Sequence, residues 1–278
     1  MKKIILFAFL FCSVLSFAQS KEKIKGTKTV TIAPRESQNF ENLEVEDNIE
    51  IFLVKGDANA LEIEADENLH EFIISDFNAG TLRLTTSKNV SSYKKLSVKV
   101  TYTDALKMVI AKHESTINAL SDIELDNITF KTSDYTKLFL NVKSRLFTVF
   151  ANDKSKLELN VKAETAAVEL SKNANMKALI SAEYLKFDMY QKAVAVIEGD
   201  VVDLKLRLDN NANFTGKNLA AKNAEILTEA YATGNIQVTD QVSISAIGKS
   251  ELQLYGEQNK VELLKFSDSA VLMKKPTK

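Results

Sequence analysis

Apolar and polar residues alternate along most of this chain with a period of two. LEVEDNIEIFL, LEIEA, TLRLT, LSVKVTY, LELNV, AAVEL and LKLRL each read as a half-buried strand. A period near 3.6 shows only in DALKMVIAKH, Asp104 to His113, where Leu106, Val109 and Ile110 predict one or two turns of connecting helix.

The strands recur. TKLFLNV (Thr136 to Val142), SKLELNV (Ser155 to Val161) and ANMKALI (Ala174 to Ile180) follow one another at 19 residues. Taking the first inward residue of each repeat gives Leu138, Leu157, Met176, Val194, Ala212, Ala230 and Leu252, with Ile117 ahead of them. A second inward pair precedes many of these, as in Phe147 and Val149 or Val168 and Leu170. A period of this size marks a solenoid, whose coils stack strand on equivalent strand. The expectation is an all-β, right-handed parallel β-helix with rungs of about 18–22 residues, in which neighbouring strands pair in parallel about 4.8 Å apart. Phe214 is expected over the small Ala232. The competing reading is an antiparallel meander with a turn every 8–12 residues.

Residues 40–104 are strand-rich without that period, and read as a β cap or as irregular first coils. A cap is expected because an open solenoid end exposes apolar core and unpaired strand edge. The divisions are a leader at 1–18, a lead segment at 19–39, the N-terminal β region at 40–104 and coils at 105–274, the last two continuous.

The leader places Lys2 and Lys3 before an apolar run and then small residues Ser16 and Ala18, which reads as a secretory signal peptide cleaved after Ala18. The run Ile4–Phe17 is shorter than the roughly 20 residues of a membrane span. Cys12, the one cysteine, lies in this leader. It follows Leu10 and Phe11 rather than a small residue, so cleavage is favoured over lipidation there. The mature chain then has no disulfide and no transmembrane segment, and folds by packing and backbone pairing. With 36 basic against 37 acidic residues, no nucleic-acid or anionic-membrane partner is indicated. Gly (8) and Pro (2) are scarce, so Asn, Asp, Ser and Lys must build the turns.

Taken together, FENLEVEDNIEIFLVKGDANALEIEADENL (Phe40 to Leu69), GTLRL (Gly80 to Leu84), LSVKVTY (Leu96 to Tyr102) and GKSELQLYGEQNKVELLKFSDSAVL (Gly248 to Leu272) resemble the auto-transporter adhesin, head GIN domain family. The resemblance covers nearly all of the mature chain and rests on order and spacing. It implies a right-handed parallel β-helix exported to the envelope. The family's Gly-Ser-Gly corners are replaced here by SDYTK, NDKSK, SKNANM and DNNANF, which leaves the corner geometry open, since Asp and Asn tolerate positive φ less well than Gly.

Motifs for chemistry are sparse. His70 and His113 form no HxH or HExxH pair, no GxSxG elbow occurs, and phosphate-cradling glycine loops are absent. His70 reads as a solvated turn residue. No metal, cofactor or catalytic residue is assigned. Acid candidates are Glu44, Glu46 and Asp47, then Asp57, Glu62, Glu64, Asp66 and Glu67. In alternating strands such acids mark the solvent face, but in a groove they could serve a polysaccharide lyase or hydrolase. The other lead is an outward face with Phe139, Leu179, Ile197, Tyr231 and Tyr255, more apolar than free solvent favours. Covering by the chain's own N-terminal region or by a second copy is preferred there over a ligand. The functional expectation is a non-catalytic envelope protein, in the periplasm or at the cell surface, that binds a glycan or an envelope protein. The alternative is a polysaccharide-active β-helix enzyme.

Overall fold

The structure is a computed structural model and describes residues 21–276; the leader, its cleavage after Ala18 and Cys12 lie outside the described residues. One coil shows the construction. In the strand Lys137–Ala151, Leu138, Leu140 and Val142 are buried and their neighbours Phe139 and Asn141 exposed. The alternation breaks at a corner, Ser144 to Leu146, and resumes with Phe147, Val149 and Ala151 buried. A four-residue turn, Asn152 to Ser155, then leads to the next strand, Lys156–Leu170. Fifteen strand residues and four turn residues make the 19-residue period.

Successive coils pair in parallel, residue over residue: Leu138 with Leu157, Val142 with Val161, Val149 with Val168. Every pairing from Met108 to Lys274 is parallel, which excludes the meander, and about nine coils stack into a parallel β-solenoid.

The inward ladder differs from the expected one partway along. It runs Ile117, Leu138, Leu157, Met176, Ala195, Phe214, Gly234 and Leu252. The period stays at 19 where 18 was expected, so Val194 points outward and is exposed, while Ala195 and Ile197 are buried. A one-residue slip exchanges the two faces of a strand. Ala212 is buried, but at the end of a turn, and Ala230 lies within a turn. Phe214 therefore sits over Gly234, not Ala232, and beneath Ala195. The large ring between two small residues keeps the core filled, and it meets Phe187 edge-on at 5.3 Å.

The corners are solved without glycine repeats. Asp47, His113, Asp134, Asp153, Lys172, Gln191, Asn210, Ala230, Gly248 and Asp268 all have φ between +56° and +77°. The carbonyls of all but Gln191 and Asp268 accept a backbone N–H of the turn below, as in Tyr135 to His113 and Lys154 to Asp134, both at 2.8 Å. Aspartate side chains also accept from the turn above: His113 N–H donates to Asp134 Oδ2 at 3.0 Å and Gly248 N–H to Asp268 Oδ2 at 3.2 Å. The stacked hydrogen bonds offset the cost of left-handed backbone. Small buried residues close each turn, Ser115, Thr136 and Ser155 and then Ala174, Ala193, Ala212 and Ala232.

Residues 40–104 continue the stack. Asn42–Val45 and Glu50–Lys55 pair in parallel with Met108–Ala111 and Thr116–Ala119 on one side, and with Thr81–Thr86 and Leu96–Tyr102 on the other. The expected helix over Asp104–His113 is instead the strand Met108–Ala111, whose backbone groups find strand partners on both sides. Beyond this coil the pairing becomes antiparallel: Ala60–Asp66 against Leu96–Tyr102, Val30–Arg35 against Ala60–Asp66, and Ile73–Asn78 against Thr81–Thr86. A 3-10 helix, Glu67–Phe72, buries Leu69 and plugs the core at that end. His70 lies on it and is half-buried, with Nε2 2.9 Å from Thr31 Oγ1, rather than solvated in a turn.

Asp66, fully buried, ties the cap together. Its carboxylate accepts the backbone N–H groups of Lys28 at 2.8 Å and of Lys94 and Lys95 at 3.0 Å. Burial opposes its charge, but these three donors outweigh burial and lower its pKa. It is a structural anchor, not a solvent-face acid.

Candidate interaction face

The first half of each coil forms a flat parallel sheet with two outward columns. One runs Phe139, Glu158, Lys177, Val196, Thr215, Asn235 and Gln253. Its neighbour begins Asn141, Asn160, Leu179, Glu198 and Asn218. Phe139 (38% exposed) and Leu179 (49%) lie in one shallow depression of about 490 Å³ with Val196, and the same depression is lined by Asn141, Asn160, Glu158, Lys177 and Glu198. The stack thus sets apolar surface beside amides and charges at steps of about 4.8 Å.

The five expected face residues are not all together. Ile197 is 1% exposed and belongs to the core, because the 19-residue register turns it inward. Tyr231 is exposed but sits in a turn, stacked under the Lys249 ammonium at 5.5 Å. Tyr255 is half-buried on the same sheet, several coils away, with its hydroxyl on Gln253 Oε1 at 3.3 Å. Val196, which the expected register sets inward with Val194, faces outward instead. Anchoring the register on the small residues that close the turns, Ser155, Ala174, Ala193 and Ala212, would have found it. The described N-terminal segment does not cover this face: Lys23–Lys25 pairs with Asn89–Ser91 and Val30–Arg35 with Ala60–Asp66, at the capped end.

Of the acid candidates, Glu44, Glu46, Asp47, Glu62 and Glu64 are braced by bases, whereas Asp57 and Glu67 have no ion pair among the described residues. Glu44 pairs with Lys112, Glu46 with Arg83 at 2.7 Å, Glu62 with Lys99 at 2.6 Å, and Glu64 approaches Lys95 at 3.7 Å. Asp47 sits at a corner, where its Oδ2 accepts from Lys21 Nζ at 2.6 Å, Thr85 Oγ1 at 2.7 Å and Thr86 N–H at 2.9 Å. Burial works against its charge, yet those donors hold its pKa down at about 2. His113 Nδ1 accepts the Asp47 backbone N–H at 3.2 Å, so both side chains serve the corner. Among the described residues no group of three His, Cys, Asp or Glu side chains is arranged to hold a metal ion.

Residues 39–257 match the family described as "Putative auto-transporter adhesin, head GIN domain". The chain belongs to this family. Several solved structures are similar in fold. One described as a putative adhesin from Parabacteroides distasonis is 17% identical, with a TM-score of 0.65 over 91% of this chain and 100% of its own. A second from that organism, described as a putative lipid binding protein, is 12% identical with a TM-score of 0.58, covering 92% and 98% of the two chains. A putative adhesin from Parabacteroides merdae is 15% identical with a TM-score of 0.53, again over 92% and 98%. No curated protein matches the chain significantly. The family and these adhesin neighbours are described as adhesins, not as enzymes. No helix among the described residues is long and apolar enough to cross a membrane.

Proposed function

We propose that this head GIN solenoid is a non-catalytic, exported envelope protein that binds a glycan through the face around Phe139, Leu179 and Val196. The observation that carries the reading is the depression itself, where apolar side chains stand beside the stacked amides of Asn141 and Asn160 on a rigid sheet. A sugar ring offers an apolar face and a rim of hydroxyls, and such a site matches both without any group poised for chemistry. The family description supports an adhesive role. The leader supports export, with cleavage after Ala18 and residence in the periplasm or at the cell surface. Intact-mass measurement of the native protein checks this: Met1 retained, or a lipid on Cys12, overturns it.

The binding test passes purified protein over glycans, envelope proteins and lipid vesicles, scoring retention and product release together. Glycan retention that falls at least tenfold in Phe139→Ala or Leu179→Ala, but not in Tyr231→Ala, is the expected result. Retention on vesicles or protein alone overturns the glycan reading. Product release abolished by changing one Asp or Glu overturns the non-catalytic one and favours a polysaccharide-active enzyme.

A further inference from the structure

The two ends of the solenoid are unlike. At the N-terminal end antiparallel strands close the stack, apart from the short parallel pair of Lys23–Lys25 with Asn89–Ser91; Leu69 plugs the core, and the edge strand Val30–Arg35 carries Pro34 and Arg35. Proline and charge blunt an edge against further pairing. The C-terminal strands carry charge, at Lys260, Glu262, Lys265 and Lys274, but no proline, and no described residue adds an antiparallel layer or a plug over the core. Among the described residues, Lys260–Phe266 pairs only with Thr233–Ala246, and Val271–Lys274 only with Glu251–Tyr255. Register directs Val261, Leu263 and Phe266 toward the core, under Val242, Ile244 and Ala246, yet no described residue covers them. Leu263 is 53% and the bulged Leu264 60% exposed.

We propose that two copies of this chain join tail to tail about a two-fold axis, each terminal coil pairing with the other. The first argument is geometric. The bare end presents two strand edges, one on each face of the coil, and a single incoming strand can satisfy only one. The terminal coil of a second copy brings two edges at the same separation and continues the core with its own Val261, Leu263 and Phe266. The second argument is exclusion. The opposite end of a neighbouring copy offers an antiparallel, proline-bearing edge, so head-to-tail growth into a filament is closed, and only the self-complementary contact remains. Third, charges of both signs interleave along the rim, Lys260, Glu262, Lys265, Asp268 and Lys274. A strongly acidic or basic partner finds no matching field there, whereas a reversed copy can set acids beside bases.

Sedimentation equilibrium of the purified protein is expected to give twice the chain mass, and Leu264→Lys to weaken the dimer at least tenfold. Leu264 lies outside the inward ladder, so the thermal melt of the variant should show intact coils. In a Cys12→Ala background, Leu263→Cys near the axis should cross-link to itself under mild oxidation, since opposed antiparallel residues lie within disulfide reach. Ile32→Cys, exposed at the capped end, should not. A monomer at 100-fold dilution below and at concentrations of about 100 μM alike overturns the proposal. So does a dimer that survives Leu264→Lys or cross-links through Ile32→Cys. A monomer whose Lys260–Phe266 amides are protected from exchange would assign the end to another occupant and also overturn it.

Discussion

Single residues on this solenoid are judged by which side of a strand they occupy. Leu159 is buried and its neighbour Glu158 exposed, though they are adjacent in sequence. Leu159→Asp places an unpaired charge between coils and should destabilise by about 3 kcal/mol or more, whereas Glu158→Lys should stay within about 0.5 kcal/mol. Urea titration of the two variants checks the difference; equal effects would contradict the register. Asp47 and Asp66 both have folded pKa values below their unfolded ones. Their contribution is therefore present above the unfolded value of about 4 and is lost as pH falls through the folded value. For Asp47 the window lies between about pH 4 and 2. Thermal melts of wild type should fall across this window, and Asp47→Asn should flatten the decline. Asp66→Ala leaves backbone donors unpaired in the cap and should cost at least about 2 kcal/mol at neutral pH. The alternation that separates Leu159 from Glu158 is plain in the sequence. The role of Asp66 is not, because its donors come from Lys28, Lys94 and Lys95, brought together only by the fold.

At the scale of the element, the repeating unit is strand, corner, strand and turn, and the turn sets the period. The sequence shows the turns as NDKS, SKNA, YQKA and DNNA, ending in a small residue every 19 positions. Reading the period from apolar residues alone drifts by one residue near Val194, because VAVI offers two apolar registers and only the stacked turn decides between them. That drift is why Ile197 was read as outward and Val196 as inward. The left-handed turn residue gives a separate test. Ala230 has φ +56° and no side-chain hydrogen bond to gain, so Ala230→Gly should stabilise by about 0.5 kcal/mol, the relief of left-handed strain less the added chain entropy of glycine. Gly199 is the opposite case: at φ +118°, a Cβ would lie 2.1 Å from Ile180 O. Gly199→Ala should lower the melting temperature markedly. Differential scanning calorimetry of both reads the signs directly.

On the scale of the whole molecule, a stack of coils is stable in its middle and vulnerable at its ends, since inner coils have two neighbours and outer ones have one. Amide exchange should be slowest from Lys137 to Ala246. In the dimer, exchange at Lys260–Phe266 should also be slow, and Leu264→Lys should speed it there while leaving the Leu157–Val161 strand unchanged. Mass spectrometry of peptide fragments separates the two regions. The sequence by itself determined the all-β character, the coil period, the paucity of catalytic motifs and the family, because alternation, spacing and motif absence are local properties that a linear reading preserves. Only the tertiary structure decided that Phe139, Leu179 and Val196 share one depression while Tyr231 and Ile197 do not, and that, among the described residues, one end of the stack is capped and the other uncovered. Those facts depend on register accumulated over many coils, and on antiparallel partners distant in the chain. A slip of one residue, invisible in composition, exchanges core for surface from Val194 to Ile197, while Phe214 and Leu252 further along stay inward.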